Sequence, residues 1–172
     1  GFSYDSNTKG AHIKKYEHRA LRAGQVIAKK NGRNLAQFIL DFKQISPKTK
    51  IRLVGHSLGS QVIASTIETL SSSKTNKNTI ESVHFFGASI PSDLLGNNKF
   101  RKFFDMIVNK KIINFFAPTD EVLHYAHKIG EINSPLGLCG FKGKTTTKFS
   151  QLKVNPTNHR FKSYAETLKS FP

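Results

Sequence analysis

Residues 51–59 read Ile51-Arg52-Leu53-Val54-Gly55-His56-Ser57-Leu58-Gly59, and they decide the fold. The first four residues form a compact, mostly apolar strand candidate that leads directly into a Gly-x-Ser-x-Gly turn. Apolar residues then recur at helical spacing as far as Leu70, which predicts an amphipathic helix directly after the turn. The pattern therefore indicates a strand, a sharp turn and a helix, with Ser57 at the turn.

Strand and helix patterns alternate along the rest of the chain. Upstream of this turn, apolar residues at helical spacing predict one interrupted helix or two, ending near Ser46-Pro47. The opening residues 2–5 read like the end of a strand. The further predicted elements are strand 82–88, helix 100–108, strand 111–117, loop 137–143, strand 147–154 and helix 160–170. This alternation predicts an α/β fold with a mostly parallel sheet flanked by helices.

The size and hydropathy of the chain predict a single domain over residues 1–172. Hydrophobic residues make up 37% of the 172 residues, which is enough for one core. No apolar run approaches the ~20 residues that span a bilayer, and no secretory signal pattern opens the sequence. We therefore expect a soluble domain without a membrane span, with the cytoplasm slightly favoured as its compartment.

The chain is strongly basic. Lys and Arg outnumber Asp and Glu by 27 to 11, which gives a formal net charge of +16. Such a field attracts nucleic acid, anionic lipid or acidic substrates. The charges are nevertheless spread along the chain, and no common nucleic-acid-binding pattern is present. We expect a solvated basic surface, with an anionic membrane as a candidate partner and nucleic acid not favoured. The oligomeric state is not indicated.

The Gly-x-Ser-x-Gly turn is typical of a nucleophile elbow. A serine hydroxyl is a weak nucleophile and needs sharp presentation and a neighbouring base. Gly55 and Gly59 are expected to remove Cβ atoms that would collide with the neighbouring helix and strand. The backbone N–H of Leu58, at the start of the following helix, is the predicted oxyanion donor. His56 is interpreted as a positioning or packing residue rather than a base.

Two later residues complete a candidate catalytic triad. Asp120 follows the strand that ends at residue 117, and His159 follows the strand that ends at residue 154. Carboxyl ends of parallel strands meet at one edge of a sheet, so both side chains are expected near Ser57. His159 would take the proton of Ser57, and Asp120 would orient the imidazole. Asp93 is a weaker alternative to Asp120, and Asp105 is weaker still.

Other reactive side chains are interpreted as structural. His124 and His127 lie three residues apart and could share a helix face, but no further metal-ligand pattern accompanies them. The single cysteine, Cys139, excludes an internal disulfide and is interpreted as a packing residue. Glu121 is expected to face solvent. No cofactor and no metal site are predicted.

Five stretches carry a resemblance to a known family. They are Ile-Arg-Leu-Val-Gly-His-Ser-Leu-Gly-Ser (51–60), Phe-Phe-Gly-Ala-Ser-Ile-Pro (85–91), Asn-Phe-Phe-Ala-Pro-Thr-Asp-Glu-Val-Leu (114–123), Gly-Leu-Cys-Gly (137–140) and His-Arg-Phe-Lys-Ser-Tyr (159–164). With them the sequence resembles the α/β-hydrolase superfamily. Within it, the sequence is similar to a lipase-like domain family of largely unknown function that includes the transmembrane and coiled-coil domain proteins. Ser57, Asp120 and His159 match that family's presumed triad.

The resemblance implies a serine hydrolase of the esterase or lipase type, acting on a small acyl ester or a lipid. The superfamily takes a second oxyanion-hole amide from an earlier strand and loop. Three expectations follow: the chain is an N-terminally truncated domain, or residues 2–7 donate this amide, or the domain is inactive. In the inactive case, the domain would bind anionic lipid or nucleic acid through its basic surface. A substrate lid is expected within residues 121–147.

Overall fold

Helices and strands alternate along residues 17–170, the part of the chain that the computed structural model describes. In chain order they are α1 (Glu17–Ile45), β1 (Arg52–His56), α2 (Gly59–Leu70), β2 (Ile80–Phe86), α3 (Asn98–Ile107), β3 (Val108–Phe116), α4 (Glu121–Lys128), α5 (Leu136–Cys139), β4 (Phe149–Lys153) and α6 (Phe161–Glu166). Short 3₁₀ helices lie at Lys74–Asn76 and Ser92–Leu95. The predicted α/β fold, with a sheet flanked by helices, is confirmed.

The four strands form one parallel sheet in the order β1-β2-β3-β4. Each strand pairs with the next in sequence, and the register places Gly55 of β1 beside Phe85 and then Asn114. Because all strands run the same way, the loops that follow them emerge at the same edge of the sheet. This edge is where the chain places the residues after positions 56, 86, 116 and 153.

One face of the sheet packs against α1, α2 and α3. Its core consists of residues that are almost fully buried, including Ile63, Ile67, Val83, Phe85 and Phe104. On the opposite face, a second cluster brings Tyr164 of α6 against aromatic residues of β2 and β3. Burial of these large apolar side chains is the main stabilising contribution, because moving one such side chain out of water contributes about 1.5–3 kcal/mol to the free energy of folding.

The long helix α1 is continuous over Glu17–Ile45, so the predicted interruption after Gly32 is wrong, both as a break within one helix and as two helices. Gly32 lies in its middle and marks a close contact with α2 rather than a break. A Cβ at Gly32 would lie 2.4 Å from the Cβ of Ser65. The two helices also share side-chain hydrogen bonds, since Thr66 Oγ1 donates to the carbonyl of Gly32 at 3.0 Å. The glycine therefore lets the backbones of α1 and α2 approach closely.

Residues 137–143 were expected to be a loop, and this is wrong in part because α5 spans Leu136–Cys139. The short helix is bound to the strand ends by its backbone: Gly137 N–H donates to Ala88 O at 3.0 Å, and Gly137 O accepts from Ala117 N–H at 2.8 Å. A Cβ at Gly137 would lie 2.1 Å from the nitrogen of Ala88. Glycine is therefore required where α5 lies directly on the ends of β2 and β3.

Helix α4 lies where no element was predicted, and the remaining differences concern element ends. β2 stops at Phe86 because Gly87 adopts a positive φ of 51°. The last helix ends at Glu166 rather than 170, since Thr167 N–H and Oγ1 both bond to the carbonyl of Tyr164. The strand end at residues 2–5 lies outside the described residues. Within residues 17–170, no helix is both long enough and apolar enough to cross a membrane.

Candidate active site

Ser57 occupies a strained turn between β1 and α2. Its φ is +52°, in the left-handed region that non-glycine residues rarely adopt. The turn is held by the backbone, because Ser57 N–H donates to Phe86 O at 3.1 Å and Ser57 O accepts from Ser89 N–H at 3.3 Å. Such strain persists only where the surrounding structure enforces it, and it concentrates at functional sites. A strand, a serine with positive φ and a helix in this order have the geometry that a nucleophile elbow requires.

The two glycines of the turn differ in their surroundings. A Cβ at Gly55 would lie 2.7 Å from Ile63 Cδ1 and 3.0 Å from the carbonyl oxygen of Gly59. A Cβ at Gly59 would meet nothing within 4 Å outside its own helix and chain neighbours. The expected collision is therefore confirmed for Gly55 and wrong for Gly59, because no described element packs against that point of α2.

This contrast gives a matched test of stability. We expect Gly55→Ala to lower the free energy of unfolding by about 1–3 kcal/mol, because the added methyl group overpacks the contact with α2. Gly59→Ala should leave it unchanged or raise it by up to about 1 kcal/mol, through a less flexible unfolded chain. Urea titration of both variants measures the difference. Equal destabilisation of the two variants would contradict the steric account.

The three residues predicted to act together lie in hydrogen-bond contact. His159 Nε2 lies 2.9 Å from Ser57 Oγ, and His159 Nδ1 lies 2.6 Å from Asp120 Oδ2. The side chain of Asp120 is fully buried, whereas that of His159 is 15% exposed. Since Asp120 accepts at Nδ1, that nitrogen carries a proton, and Nε2 is left to accept from Ser57. The three side chains therefore form a continuous chain of hydrogen bonds from the carboxylate of Asp120 through the imidazole of His159 to the hydroxyl of Ser57.

Asp120 also caps α4. Its Oδ1 accepts the backbone N–H groups of Val122 and Leu123, each at 3.1 Å. Its Oδ2 accepts from His159 and, at 2.5 Å, from the hydroxyl of Tyr164. Burial alone would raise the pKa of Asp120, but the hydrogen bonds from His159 and Tyr164 outweigh it and hold the pKa below its ordinary value. The carboxylate is therefore charged and fixed by four donors.

Tyr164 is a member of the site that sequence reasoning missed. It is fully buried, and burial followed by the bond to Asp120 raises its pKa, so its hydroxyl stays protonated and donates. A Cβ at Gly87 would lie 2.9 Å from the Tyr164 ring, so the glycine leaves room for it. The stretch His-Arg-Phe-Lys-Ser-Tyr was recognised only as part of a resemblance. An aromatic residue five positions after His159, inside the predicted last helix, was the available signal.

Removing the Tyr164 hydroxyl should give a pH-dependent loss of stability. We expect Tyr164→Phe to lower the free energy of unfolding at neutral pH by about 1.5–3 kcal/mol, the contribution of a hydrogen bond to a charged group. The pKa of Asp120 in the folded protein lies below its value in the unfolded chain. The value in the unfolded chain is about 3.9. The stabilising contribution of Asp120 is therefore present above about pH 4 and is lost as the pH falls through the folded pKa.

The difference between wild type and Tyr164→Phe should accordingly shrink as the pH falls through the folded pKa of Asp120, which urea titrations at a descending series of pH values from 7 measure. The surface carboxylate of Glu81 serves as a comparison, because hydrogen bonds from Lys110 and Asn109 lower its pKa without involving Tyr164. Its contribution to the pH dependence of stability should be the same in wild type and in Tyr164→Phe. A difference that does not change with pH would mean that Tyr164 acts only through packing.

His56 forms a hydrogen bond with the backbone of His159, the candidate catalytic base. Its Nε2 lies 2.6 Å from the carbonyl oxygen of His159, and the two rings are 4.9 Å apart. Because a carbonyl only accepts, Nε2 of His56 carries the hydrogen. Burial, and next the charge of His159, lower the pKa of His56, which favours the neutral ring. The structure therefore places His56 as a positioning residue, one of the two roles predicted for it.

The other acid candidates lie elsewhere. Asp93 is exposed in the 3₁₀ helix Ser92–Leu95. Asp105, on α3, accepts a hydrogen bond from Thr146. The alternative acids are therefore not supported by the geometry, since the carboxylate that meets His159 belongs to Asp120.

The remaining reactive residues lie on the surface. His124 and His127 are exposed on α4, as is Glu121, which faces solvent as expected. Among the residues that the structure describes, no group of three or more His, Cys, Asp or Glu side chains could hold a metal ion. Cys139 is exposed, so its interpretation as a packing residue is wrong.

Ser89 is a second hydroxyl at the site that the sequence did not suggest. Its Oγ lies 3.4 Å from Ser57 Oγ, and its carbonyl accepts from Gln61 Nε2 at 2.7 Å. Leu58 directly follows Ser57 and is the N-cap residue of α2. The oxyanion donor expected within residues 2–7 lies outside the described residues. The segment 121–147 contains α4 and α5, and its role as a lid stays a prediction.

Comparison with known proteins places most of the chain in one family. Residues 18–145 match the family described as "Protein of unknown function (DUF726)". No curated protein matches the chain, and no solved structure does. The matched region includes Ser57 and Asp120 but ends before His159.

Proposed function

The chain belongs to the DUF726 family, and we propose that it is a serine hydrolase that cleaves an ester or a related acyl bond. The observation that carries the proposal is the hydrogen-bonded line from Asp120 Oδ2 through His159 to Ser57 Oγ, with spacings of 2.6 and 2.9 Å. Side chains 102 and 39 residues apart in sequence meet there. Such a line is what converts a serine hydroxyl into a nucleophile.

Each residue has a defined role in the proposed reaction. Ser57 Oγ attacks the acyl carbon while His159 Nε2 removes its proton, and the same nitrogen then returns the proton to the leaving group. Asp120 stays charged, holds the imidazole with its proton on Nδ1 and stabilises the protonated ring. Water then attacks the acyl-enzyme by the same route. The low pKa of Asp120 supports this role, because a protonated acid could not stabilise the imidazolium.

The start of α2 supports stabilisation of the negative oxygen that forms during attack. The N–H of Leu58 follows the nucleophile directly, at the positive end of the α2 dipole. One such donor contributes about 10²–10³-fold in turnover. We therefore propose Leu58 N–H as an oxyanion donor.

The proposal extends to membership of the α/β-hydrolase superfamily. Three features support it: a parallel sheet, a serine with positive φ directly after a strand, and the chain order serine, acid, histidine. The chain order is the most specific of the three for this fold, because other serine hydrolase folds supply the same three residue types in a different order. Residues 17–170 supply the strands that carry Ser57, Asp120 and His159.

Covalent labelling tests the proposal directly. A fluorophosphonate probe should form an adduct on Ser57 of the wild-type protein, located by peptide mass spectrometry. Ser57→Ala should lose the adduct completely. Ser89→Ala is the matched control, since Ser89 Oγ lies only 3.4 Å away and should not be the labelled atom. Absence of labelling in folded protein, or labelling that persists in Ser57→Ala, would overturn the proposal and favour a non-catalytic binding role.

A further inference from the structure

A partly open cavity of about 320 Å³ lies beside the proposed nucleophile. It is bounded by α1, by the exposed side of α2, by the loop after β2 and by residues 131–133. Its apolar wall consists of Ala64, Ile90, Leu94, Phe100 and Ile132. Apolar walls with a few polar groups at one end are typical of sites that bind small ligands.

The cavity reaches the reacting atoms through Ser89. Ser89 lines the cavity, and its Oγ lies 3.4 Å from Ser57 Oγ. Gln61, in the first turn of α2, also lines the cavity and donates to Ser89 O at 2.7 Å. A ligand that fills the cavity would therefore end next to the nucleophile, separated from it by one serine side chain.

The position of the cavity identifies which part of an ester would occupy it. Ser57 Oγ lies 2.9 Å from His159 Nε2 and 3.4 Å from Ser89 Oγ, and of these two neighbours only Ser89 lines the cavity. The leaving group must lie beside His159 Nε2, because that nitrogen returns the proton to it. The cavity lies instead on the α1 and α2 side, so its occupant would be the acyl group.

The charges of the cavity favour a neutral acyl group. Its two acids have cationic partners: Glu68 pairs with Lys99 at 3.2 Å, and Glu131 with Arg22 at 3.5 Å. The third charged residue of the lining, Lys29, is exposed on α1, so its charge is solvated. Burial of apolar surface is then the main source of binding, at about 0.8 kcal/mol for each methylene group. At about 30 Å³ for each heavy atom, the volume that water takes in the liquid, such a cavity holds roughly ten atoms.

We propose that this cavity is the acyl-binding site and that the substrate carries an uncharged acyl group of medium length, about six to eight carbons. This inference rests on the proposed serine hydrolase activity. Longer chains exceed the volume, and shorter chains leave apolar wall in contact with water. Specificity constants should therefore pass through a maximum at medium chain length.

The test is a series of p-nitrophenyl esters from acetate to dodecanoate, with kcat/KM measured for wild type and variants. Ala64→Leu fills the cavity and should lower the ratio of octanoate to acetate turnover at least about tenfold, as expected when a pocket rejects added methylene groups. Leu94→Ala enlarges the cavity and should move the maximum to longer chains. Ala23→Leu, at an exposed position of α1, is the control and should keep the wild-type profile.

The outcomes separate the two proposals. If esters are cleaved in a Ser57-dependent manner but all variants keep the wild-type chain-length profile, the acyl-site inference is overturned and the hydrolase stands. If the folded wild type cleaves no ester and Ser57 is not labelled, the hydrolase proposal fails and the acyl-site inference fails with it. Circular dichroism checks that each variant folds. If Ala64→Leu does not fold, the chain-length profile of Leu94→Ala decides whether the cavity binds the acyl group.

Discussion

Ser57→Ala, His159→Ala and the double variant are each expected to reduce ester turnover by about 10⁶-fold, because residues that act as one unit lose their function together. The 2.9 Å contact between Ser57 Oγ and His159 Nε2 is the physical reason. Without the imidazole the hydroxyl keeps its proton, and without the hydroxyl the imidazole has nothing to activate. Stopped-time assays with a medium-chain ester measure the three losses.

The double variant carries the information in this experiment. If Ser57 and His159 worked independently, the free-energy losses of the single variants would add, and the double variant would be far slower than either. Equal losses indicate a shared proton transfer. Ser89→Ala serves again as the control, since it removes a neighbouring hydroxyl and should leave turnover within about tenfold of wild type. A large loss in Ser89→Ala with little loss in Ser57→Ala would identify a different nucleophile.

Asp120→Asn is expected to reduce turnover by about 10⁴-fold while the fold is retained. Asparagine caps a helix as well as aspartate does, so its oxygen can still accept the N–H groups at the start of α4. The other position becomes an NH₂ group that faces His159 Nδ1 and the hydroxyl of Tyr164, both of which donate in the wild type. His159 then takes the wrong tautomer, with its proton on Nε2, and cannot accept from Ser57.

Steady-state kinetics and thermal unfolding of Asp120→Asn distinguish this tautomer effect from unfolding. Asp93→Asn is the matched control, because Asp93 was the competing acid candidate and is exposed. We expect Asp93→Asn to keep wild-type activity. A loss in Asp93→Asn equal to that in Asp120→Asn, or no loss in Asp120→Asn, would remove Asp120 from the proposed relay.

Much of the fold was predictable because its signals are local. The apolar run before Gly55 predicted β1, and the helical spacing up to Leu70 predicted α2 with the observed end. The contacts of Asp120 and His159 were predictable because parallel strands bring their following loops to one edge of the sheet. Chain order and strand ends were therefore enough to favour these two residues, with Asp93 left open as a weaker alternative acid.

The residues that were missed depend on contacts between distant segments. Tyr164 and Ser89 have no local pattern that marks them, because their roles come from the neighbours that they meet across the sheet edge. Gly137 was placed in a loop because a four-residue helix is too short to show periodicity. The glycine at position 59 fitted the motif, yet its surroundings do not require the absence of a Cβ.

By itself, the sequence determined the alternation of strands and helices, the strained turn at Ser57 and the order of the candidate relay residues. These follow from backbone preferences and hydrophobic spacing, which act over a few residues. Only the tertiary structure decided that Asp120 rather than Asp93 meets His159, that Tyr164 supplies a further donor and that a cavity adjoins Ser89. Hydrogen bonds and packing between distant segments depend on distances of a few ångströms, which exist only once the sheet has assembled.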